Sequence, residues 1–285
     1  MKIARIGIAI LLSGLFSTAA FAGSQEDWVR YDNFNSQFMD IEKWTASESW
    51  DAGVVILEST RGLYGGRLNL MCRAFGNTPP DPPYLGTRRG DVRSFFGIGR
   101  VFQSIKVSVK VNDIKVTGCP DNTDPTYSRV SIVGNFFNVV DPNPSPGDST
   151  DDVGAGIRIV RGSDSTDKHN LLEVWGDVWR CTNPGCTSVS FVEPTPVLLG
   201  KIKLGQWATI QIDWDRNGRQ FNLKADRLPT LTVPYPQEWE EFPANNPVNF
   251  LRASNWIANC PPDKRALGFV EAEFDNLYVR ELPSP

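Results

Sequence analysis

The sequence is poor in the side chains that carry much familiar chemistry. It has one histidine and no block of basic residues, and its net charge at pH 7 is −4 over 285 residues. One histidine excludes a metal site built on two imidazoles, and a Ser/His/Asp or Cys/His mechanism would have to use His169. His169 lies in a polar, turn-like stretch, which is typical of a solvated loop residue. The acidic balance makes nucleic acid and anionic membranes poor partners.

Long apolar runs are lacking after the N-terminus. There, Lys2 and Arg5 precede a short apolar stretch at Ile6–Phe16, which is followed by Ala20-Phe21-Ala22, an A-x-A cleavage pattern. No later segment approaches about 18 uninterrupted apolar residues, so we expect no membrane span. We therefore predict a signal peptide at 1–22, one mature domain at 23–285, and a secreted or periplasmic protein that is a monomer.

The five cysteines are compatible with an oxidising compartment. Cys181 and Cys186 flank a Pro-Gly turn, which brings their α-carbons together and predicts a disulfide. Cys119 and Cys260 each precede a proline in similar loop sequences and form the second predicted pair. Cys72 lies in an apolar strand pattern and is expected to remain a buried thiol. A zinc site at the first pair is not expected, because neither a second close cysteine pair nor a histidine cluster is present.

Alternation of apolar and polar residues recurs throughout the mature sequence, whereas helical periodicity is not evident. The clearest case is 102–116, where the alternation predicts a strand with one buried face. Runs at 207–214 and 220–225 flank Asn217-Gly218, the strongest short signal for a hairpin. Further strands are predicted at 53–58, 67–74, 129–139, 155–161, 170–179, 188–192, 248–254 and 268–280. These strands predict an all-β, two-sheet antiparallel sandwich in a single domain.

Three segments together carry a family resemblance. They are Tyr31-Asp-Asn-Phe34 with Trp44 shortly after it, the hairpin from Gly205 to Phe221, and the ending Ala272-Glu-Phe-Asp-Asn-Leu-Tyr-Val-Arg280. These segments resemble the concanavalin A-like lectin/glucanase jelly-roll superfamily, in the laminin G-like manner. The resemblance implies that the first and last strands pair. It leaves the function open among lectins, carbohydrate-binding modules, glycosidases, lyases and adhesion domains.

The last predicted strand changes phase at Asp275-Asn276, which predicts a β-bulge. The resemblance implies a structural calcium between this strand and the N-terminal segment, with Asp275 and Asp32 at the matching positions. Their hard oxygen ligands suit calcium. The alternative is that Asp275-Asn276 only ends strand pairing and satisfies a turn.

One predicted strand places two indoles and two carboxylates on a single face. These residues are Glu173, Trp175, Asp177 and Trp179. Flat apolar rings beside hydrogen-bond acceptors are what sugar recognition needs, and Arg158 from a neighbouring strand is a further candidate. The alternative is that a neighbouring loop covers the indoles and makes a second small core.

The same carboxylates are poorly placed for catalysis. Glu173 and Asp177 would lie roughly 13 Å apart along a strand, whereas paired glycosidase carboxyls need about 5–5.5 Å or about 6.5–9.5 Å. The E-x-D-x-x-E motif of laminarinase-like enzymes and the Arg-x-Glu and Gln-Ile-His patterns of alginate-lyase-like members are absent. Glu271, Glu273 and Asp275 share one face at about 6.7 Å between neighbouring α-carbons, a spacing that admits catalysis without indicating it.

The sequence therefore favours a non-catalytic recognition domain that binds a polysaccharide or another glycan. Two alternatives remain open. One is a glycoside hydrolase or lyase of the same fold, and the other is a structural or adhesion domain that binds protein.

Overall fold

The computed structural model describes residues 28–51, 54–76, 85–140, 145, 147–261 and 263–282, so the predicted signal peptide lies outside the described residues. No helix in the described part is long and apolar enough to cross a membrane. The strands are β1 (Val29–Asp32), β2 (Trp44–Trp50), β3 (Val54–Leu63), β4 (Leu68–Gly76), β5 (Thr87–Phe96), β6 (Phe102–Thr117), β7 (Tyr127–Asn138), β8 (Asp152–Gly162), β9 (Leu171–Cys181), β10 (Val189–Phe191), β11 (Val197–Lys203), β12 (Trp207–Asp215), β13 (Gln220–Ala225), β14 (Leu231–Pro234), β15 (Phe242–Pro243), β16 (Asn249–Ala258) and β17 (Leu267–Glu281).

These strands form two antiparallel sheets. The eight-stranded sheet has the order β14-β13-β12-β6-β17-β4-β3, with β1 added beside β17. The nine-stranded sheet has the order β10-β9-β8-β7-β16-β5-β2, with β11 beside β9 and β15 beside β7. The predicted all-β jelly-roll sandwich is confirmed, and the first strand pairs with the last as the resemblance implies.

The core lies between the two sheets because each strand turns its apolar set inward. In β6 the alternating residues Ile105, Val107 and Val109 are fully buried, as their spacing predicts. They belong to the same apolar cluster as Val130 and Ile132 of β7 in the facing sheet. Burying such side chains contributes about 1.5–3 kcal/mol each, so this contact supplies much of the stability of the sandwich.

The turn chemistry follows the sequence in most places. The predicted hairpin joins β12 and β13 through a four-residue turn around Asn217-Gly218, and Arg219 has a φ of 50°. The bulge predicted at Asp275-Asn276 is present, because the pairing of β17 with β6 shifts between Asp275 and Tyr278. Asn276 has a φ of 51° there, in the left-handed region that asparagine tolerates better than most residues.

Both predicted disulfides are present. Cys119–Cys260 joins the segment after β6 to the segment after β16, with α-carbons 5.5 Å apart. Cys181–Cys186 closes the turn that follows β9, with α-carbons 4.9 Å apart. Cys72 is a free, buried thiol on β4, also as predicted.

Six strands are missing from the set predicted by alternation, namely β1, β2, β5, β11, β14 and β15. The reason is clearest for β5, whose inward positions combine Gly90 and Ser94 with Val92 and Phe96. Two of four inward residues are therefore not apolar, and the period-two signal is weak. β5 nevertheless lies inside the nine-stranded sheet, between β16 and β2.

Candidate functional site

An open cleft of about 650 Å³ lies on the outward face of the nine-stranded sheet. Outward residues of β5, β16, β7, β8 and β9 form its floor, and the Cys181–Cys186 turn and Phe191 contribute to its walls. The volume is within the range of small-molecule sites. Five arginines line the cleft, which we call the arginine cleft: Arg89, Arg93, Arg129, Arg158 and Arg252.

Strand register places these arginines in two neighbouring rows. In one row Arg252 of β16 lies opposite Arg93 of β5 on one side and Ser131 of β7 on the other. Ser131 in turn lies opposite Arg158 of β8, so this row crosses four strands. In the next row Ser254 of β16 lies between Asp91 of β5 and Arg129 of β7. Because side chains alternate between faces with a period of two along each strand, all of these side chains project from the same face of the sheet.

Three of the five arginines have a carboxylate partner. Arg93 holds Asp91 through two hydrogen bonds of 2.8 and 2.9 Å, and Arg89 Nε lies 3.2 Å from the same carboxylate. Arg158 donates one hydrogen bond of 3.0 Å to Asp177, and its Nε lies 2.9 Å from the same carboxylate. The Asp91 side chain is fully buried, so its two partners keep its charge satisfied.

The two central arginines have no such partner. Arg129 Nε donates to Ser254 Oγ at 3.1 Å, and Arg252 Nε donates to Ser131 Oγ at 3.1 Å. Neither guanidinium has a carboxylate within 4.0 Å among the described residues. Both residues are over nine-tenths buried. Their terminal nitrogens are nevertheless not fully enclosed by protein, so they are accessible from the cleft.

Burial leaves this positive charge poorly compensated. Burial lowers the pKa of Arg129 to about 10, and it lowers the pKa of Arg252 well below its ordinary value. Neighbouring arginines lower both further, since like charges disfavour the protonated form. Burial raises the pKa of Asp177, although the charge of Arg158 opposes the rise. The guanidinium groups remain charged at neutral pH, so the cleft keeps an excess of positive charge.

Aromatic rings alternate with the guanidinium groups. Tyr127 and Trp256 stack with centroids 5.7 Å apart and planes 17° apart. The guanidinium carbon of Arg129 lies 5.3 Å from the Trp256 ring, and that of Arg252 lies 5.5 Å from the Phe250 ring. Both rings orient the arginine forks, and the partly exposed ring of Trp256 also offers flat apolar surface to a ligand.

All five residues of the sequence-based glycan site lie on this face. Trp179 lines the arginine cleft and packs on Gly154, where a Cβ would come within 2.6 Å of the indole. Trp175 lies in an adjoining depression of about 510 Å³ that shares Tyr127 and Arg158 with the cleft. Both indoles are partly exposed.

The two carboxylates of that prediction are engaged within the protein. Glu173 accepts a hydrogen bond of 2.9 Å from Trp175 Nε1, and Asp177 is held by Arg158. Asp177 therefore lies in the cleft as part of an ion pair, and Glu173 lies in the adjoining depression. That these residues bind a glycan stays a prediction.

Sequence reasoning missed most of the arginine cleft. Arg129 and Arg252 lie on predicted strands at outward positions, and each is followed two residues later by a serine. That Arg-x-Ser alternation on two strands was a usable signal. Arg89 and Arg93 lie on β5, which the sequence does not reveal as a strand.

The expected calcium ligands do not form a cation site in the described structure. Asp32 uses both carboxylate oxygens as acceptors, at 2.7 Å from Trp44 Nε1 and 2.7 Å from the Phe34 amide. Asp275 accepts from the amide of Asn276 at 2.7 Å. The described residues contain no group of three or more potential metal-ligating side chains. The calcium therefore stays a prediction without support from the arrangement of these residues.

The acids on β17 face away from the cleft, on the outer surface of the eight-stranded sheet. Glu273 lies 2.8 Å from Lys110 Nζ and 3.1 Å from Arg67. Partial burial opposes ionisation there, but the hydrogen bond and charge of Lys110, with Arg67, lower the pKa of Glu273. Glu271 accepts a hydrogen bond of 3.1 Å from Asn69. A carboxyl with a lowered pKa is a poor general acid, so these contacts do not favour catalysis.

A second cavity of about 740 Å³ borders the cleft at Phe191. Its lining includes Tyr235 and Trp239, and its charged residues include Asp151 and Arg180, which are paired with each other. It lacks the unpaired cations of the arginine cleft, and we therefore place the candidate site in the cleft.

No family model and no curated protein matches the chain. Similar solved structures include LamAcat from Zobellia galactanivorans, with 11% identity over 86% of this chain and 95% of that chain and a TM-score of 0.41. The catalytic domain of an endo-1,3-beta-glucanase (laminarinase) from Thermotoga petrophila RKU-1 has 12% identity, coverage of 89% and 98%, and a TM-score of 0.40. The potassium-bound carbohydrate recognition domain of Emp46p has 10% identity, coverage of 88% and 99%, and a TM-score of 0.34. Such distant likeness says nothing about ligand or activity, so the function has to be inferred from the chain's own residues.

Proposed function

We propose that this protein is an exported, non-catalytic domain that binds a polysaccharide on the outward face of its nine-stranded sheet. The observation that carries this proposal is the arginine cleft, where half-buried aromatic rings alternate with hydrogen-bonding groups across five neighbouring strands. Sugar rings stack on flat aromatic surface, and their hydroxyls need donors and acceptors at the rim.

The adjoining depression supports a polymeric ligand. Because Tyr127 and Arg158 line both spaces, a chain of sugars could continue from Trp179 in the cleft to Trp175 in the depression. A polysaccharide can occupy a site that extends over several subsites, whereas a single sugar cannot.

Three contacts favour binding over cleavage. The carboxylates nearest to the cleft, Asp91 and Asp177, are both committed to arginine ion pairs, and Glu173 accepts from an indole. A glycosidase needs one carboxyl that stays protonated and a second that acts on the sugar. None of these three carboxylates is free for these roles in this arrangement.

Export is part of the proposal. The leader-like N-terminus predicts it, and two disulfides are compatible with an oxidising compartment outside the cytoplasm.

The test is affinity electrophoresis of the mature protein through gels that contain a panel of soluble neutral and acidic polysaccharides. We expect at least one polysaccharide to retard the wild-type protein, and a Trp175→Ala/Trp179→Ala variant to run unretarded. Trp207→Ala is the matched control, because Trp207 is 38% exposed on β12 of the other sheet. Retardation by no member of a broad panel, or equal loss in the control, would contradict the proposal. Release of reducing ends from the bound polymer would instead establish the enzymatic alternative.

A further inference from the structure

We propose that the ligand of the arginine cleft is an acidic polysaccharide, and that a carboxylate or sulfate group of its sugars binds between Arg129 and Arg252. This inference rests on the proposed polysaccharide-binding function and adds the chemical class of the ligand. It comes from the distribution of charge in the cleft, in particular from Arg129 and Arg252, which are not part of the sequence-based glycan site.

The first argument is the local charge balance. Five arginines line the cleft, and among the described residues the carboxylates paired with them are Asp177 and the buried Asp91, although the chain as a whole has a net charge of −4. A positive cleft on an acidic protein concentrates field lines at one place and attracts an anion there, while the rest of the surface repels it.

The second argument is that the fold holds like charges together. Arg252 lies directly opposite Arg93 in the antiparallel pairing of β16 with β5. Like charges in that position destabilise a sheet. Asp91 compensates Arg93, but Arg252 keeps its own charge beside that of Arg129. An anion bound between these two arginines relieves a repulsion that the unbound protein carries.

The third argument is the geometry of the two central forks. Arg129 and Arg252 are diagonal neighbours on adjacent strands, a relation that puts their backbones about 7–8 Å apart. Each Nε is fixed by a serine of the facing strand, which leaves the terminal nitrogens toward the cleft. The planar fork of arginine matches the two oxygens of a carboxylate or sulfate, and a fork that is already oriented loses little entropy on binding.

The aromatic rings specify a sugar carrier for that anion. Trp256 lies beside the guanidinium group of Arg129, Trp179 also lines the cleft, and both indoles are partly exposed. A small inorganic anion would use the arginines and leave this apolar surface wet. A sugar that carries the charge would use both.

The experiment compares matched polymer pairs with and without charge. Binding of the mature wild-type protein to dextran sulfate is measured against dextran, and binding to polygalacturonate against its methyl-esterified form, by titration at low and at physiological salt. We expect at least one acidic member to bind ten times more tightly than its neutral partner. We also expect the higher salt to weaken that binding several-fold, because screening acts on charge pairs.

Variants locate the effect. Arg129→Gln and Arg252→Gln should each weaken acidic-polymer binding at least tenfold, and Arg252→Lys should lose part of the affinity because it keeps charge without the fork. Arg227→Gln is the matched control, since it makes the same charge change at an exposed residue after β13 of the other sheet. It should bind as the wild type does. The wild-type comparison of charged with uncharged polymers needs no variant and holds even if a substitution impairs folding.

The outcomes separate the two proposals. Equal binding to charged and uncharged partners overturns this inference and leaves the polysaccharide proposal standing, whereas binding to no polymer overturns both. A loss in Arg227→Gln equal to that in the cleft variants would mean that the attraction is unspecific, and it overturns the inference. Preference for a single-stranded oligonucleotide over every acidic polysaccharide also overturns it. Dextran sulfate and polygalacturonate distinguish a sulfated from a carboxylated ligand.

Discussion

The outer faces of the two sheets are built by the same alternation and differ in how their charges are matched. On the eight-stranded sheet, Glu273 lies directly opposite Lys110 in strand register, and the two side chains form an ion pair. On the nine-stranded sheet the corresponding relation puts Arg252 opposite Arg93. Pairing of opposite charges satisfies a solvated face from within the protein, whereas opposed like charges need compensation from elsewhere.

The comparison shows that the presence of aromatic residues and arginines does not by itself distinguish a binding site from an ordinary surface. Both faces carry aromatic residues and arginines, and on both faces an arginine lies over a ring, as Arg67 does over Trp207 and Arg129 over Trp256. What differs is that Arg67 has Glu273 as a carboxylate partner, while the side-chain partner of Arg129 in the described part of the chain is the hydroxyl of Ser254. The face with uncompensated buried charge is the better candidate for binding.

The largest expected effect comes from breaking the matched network of the eight-stranded sheet. Asp213 is 6% exposed and holds Lys224 at 2.7 Å and Arg280 at 3.1 Å. Asp213→Ala should lower the free energy of unfolding by about 3 kcal/mol, because it leaves Arg280 without this partner in a mostly buried position. Urea denaturation measures it. A loss below about 1 kcal/mol would mean that this face does not depend on its ion pairs.

Gly154→Val tests whether ligand binding in the cleft depends on the packing of the Trp179 indole against Gly154. A Cβ at Gly154 would come within 2.6–2.8 Å of the Trp179 ring, so the indole has to move. We expect a loss of about 2 kcal/mol in stability and of most polysaccharide binding. Gly62→Val on β3 is the control, because a Cβ there meets nothing within 4 Å. If both variants behave alike, the close packing of Trp179 on β8 is irrelevant to binding.

Arg252→Met should have the opposite sign to Asp213→Ala. It removes a buried charge that lies beside Arg129, and it keeps apolar contact with Phe250. We expect the free energy of unfolding to rise by about 1 kcal/mol, since apolar replacement of poorly compensated buried charge is often stabilising. Thermal and urea unfolding measure the change. Destabilisation by more than about 1 kcal/mol would show that the hydrogen bond to Ser131 outweighs the repulsion.

The ion pairs of Glu273 predict a small pH dependence. Its pKa is lowered, so its stabilisation is fully present above the ordinary value of 4.5 and is lost as the pH falls through the lowered value. Glu273→Gln should therefore be less stable than the wild type at pH 7 by about 0.5 kcal/mol, and the difference should shrink as the pH falls below 4.5 and vanish below the lowered pKa. Unfolding curves at pH 7 and at progressively lower pH check this, and a difference that grows on acidification would contradict the assigned direction.

The smallest effect concerns the calcium expected from the resemblance. Because both oxygens of Asp32 already accept hydrogen bonds, we expect a chelator to change the melting temperature by less than about 2 °C. A larger fall that added calcium reverses would restore Asp32 and Asp275 as ligands.

Much of the fold could be predicted because inward alternation is local. The strands with continuous apolar sets, such as β6 and β12, follow their patterns closely, and so do the hairpin at Asn217-Gly218 and the bulge at Asp275-Asn276. β5 escaped because Gly90 and Ser94 interrupt its inward set. Its place in the sheet depends on pairing with β16 and β2, which are distant in sequence.

The candidate site was predicted in part for the same reason. Trp175 and Trp179 lie four residues apart on one strand, and an even spacing puts both side chains on the same face, so their shared face can be read from the sequence. The arginine cleft joins residues from β5, β7, β8 and β16, and no local pattern states which of these strands are neighbours.

The sequence by itself determined the all-β class, the two disulfides, the bulge in the last strand and the face on which the indoles lie. Each of these follows from spacing along the chain or from residue type. Only the tertiary structure decided that Arg129 and Arg252 meet without a carboxylate, while Glu273 meets Lys110. Charge matching depends on strand order and register, and these are set by packing of the whole sandwich.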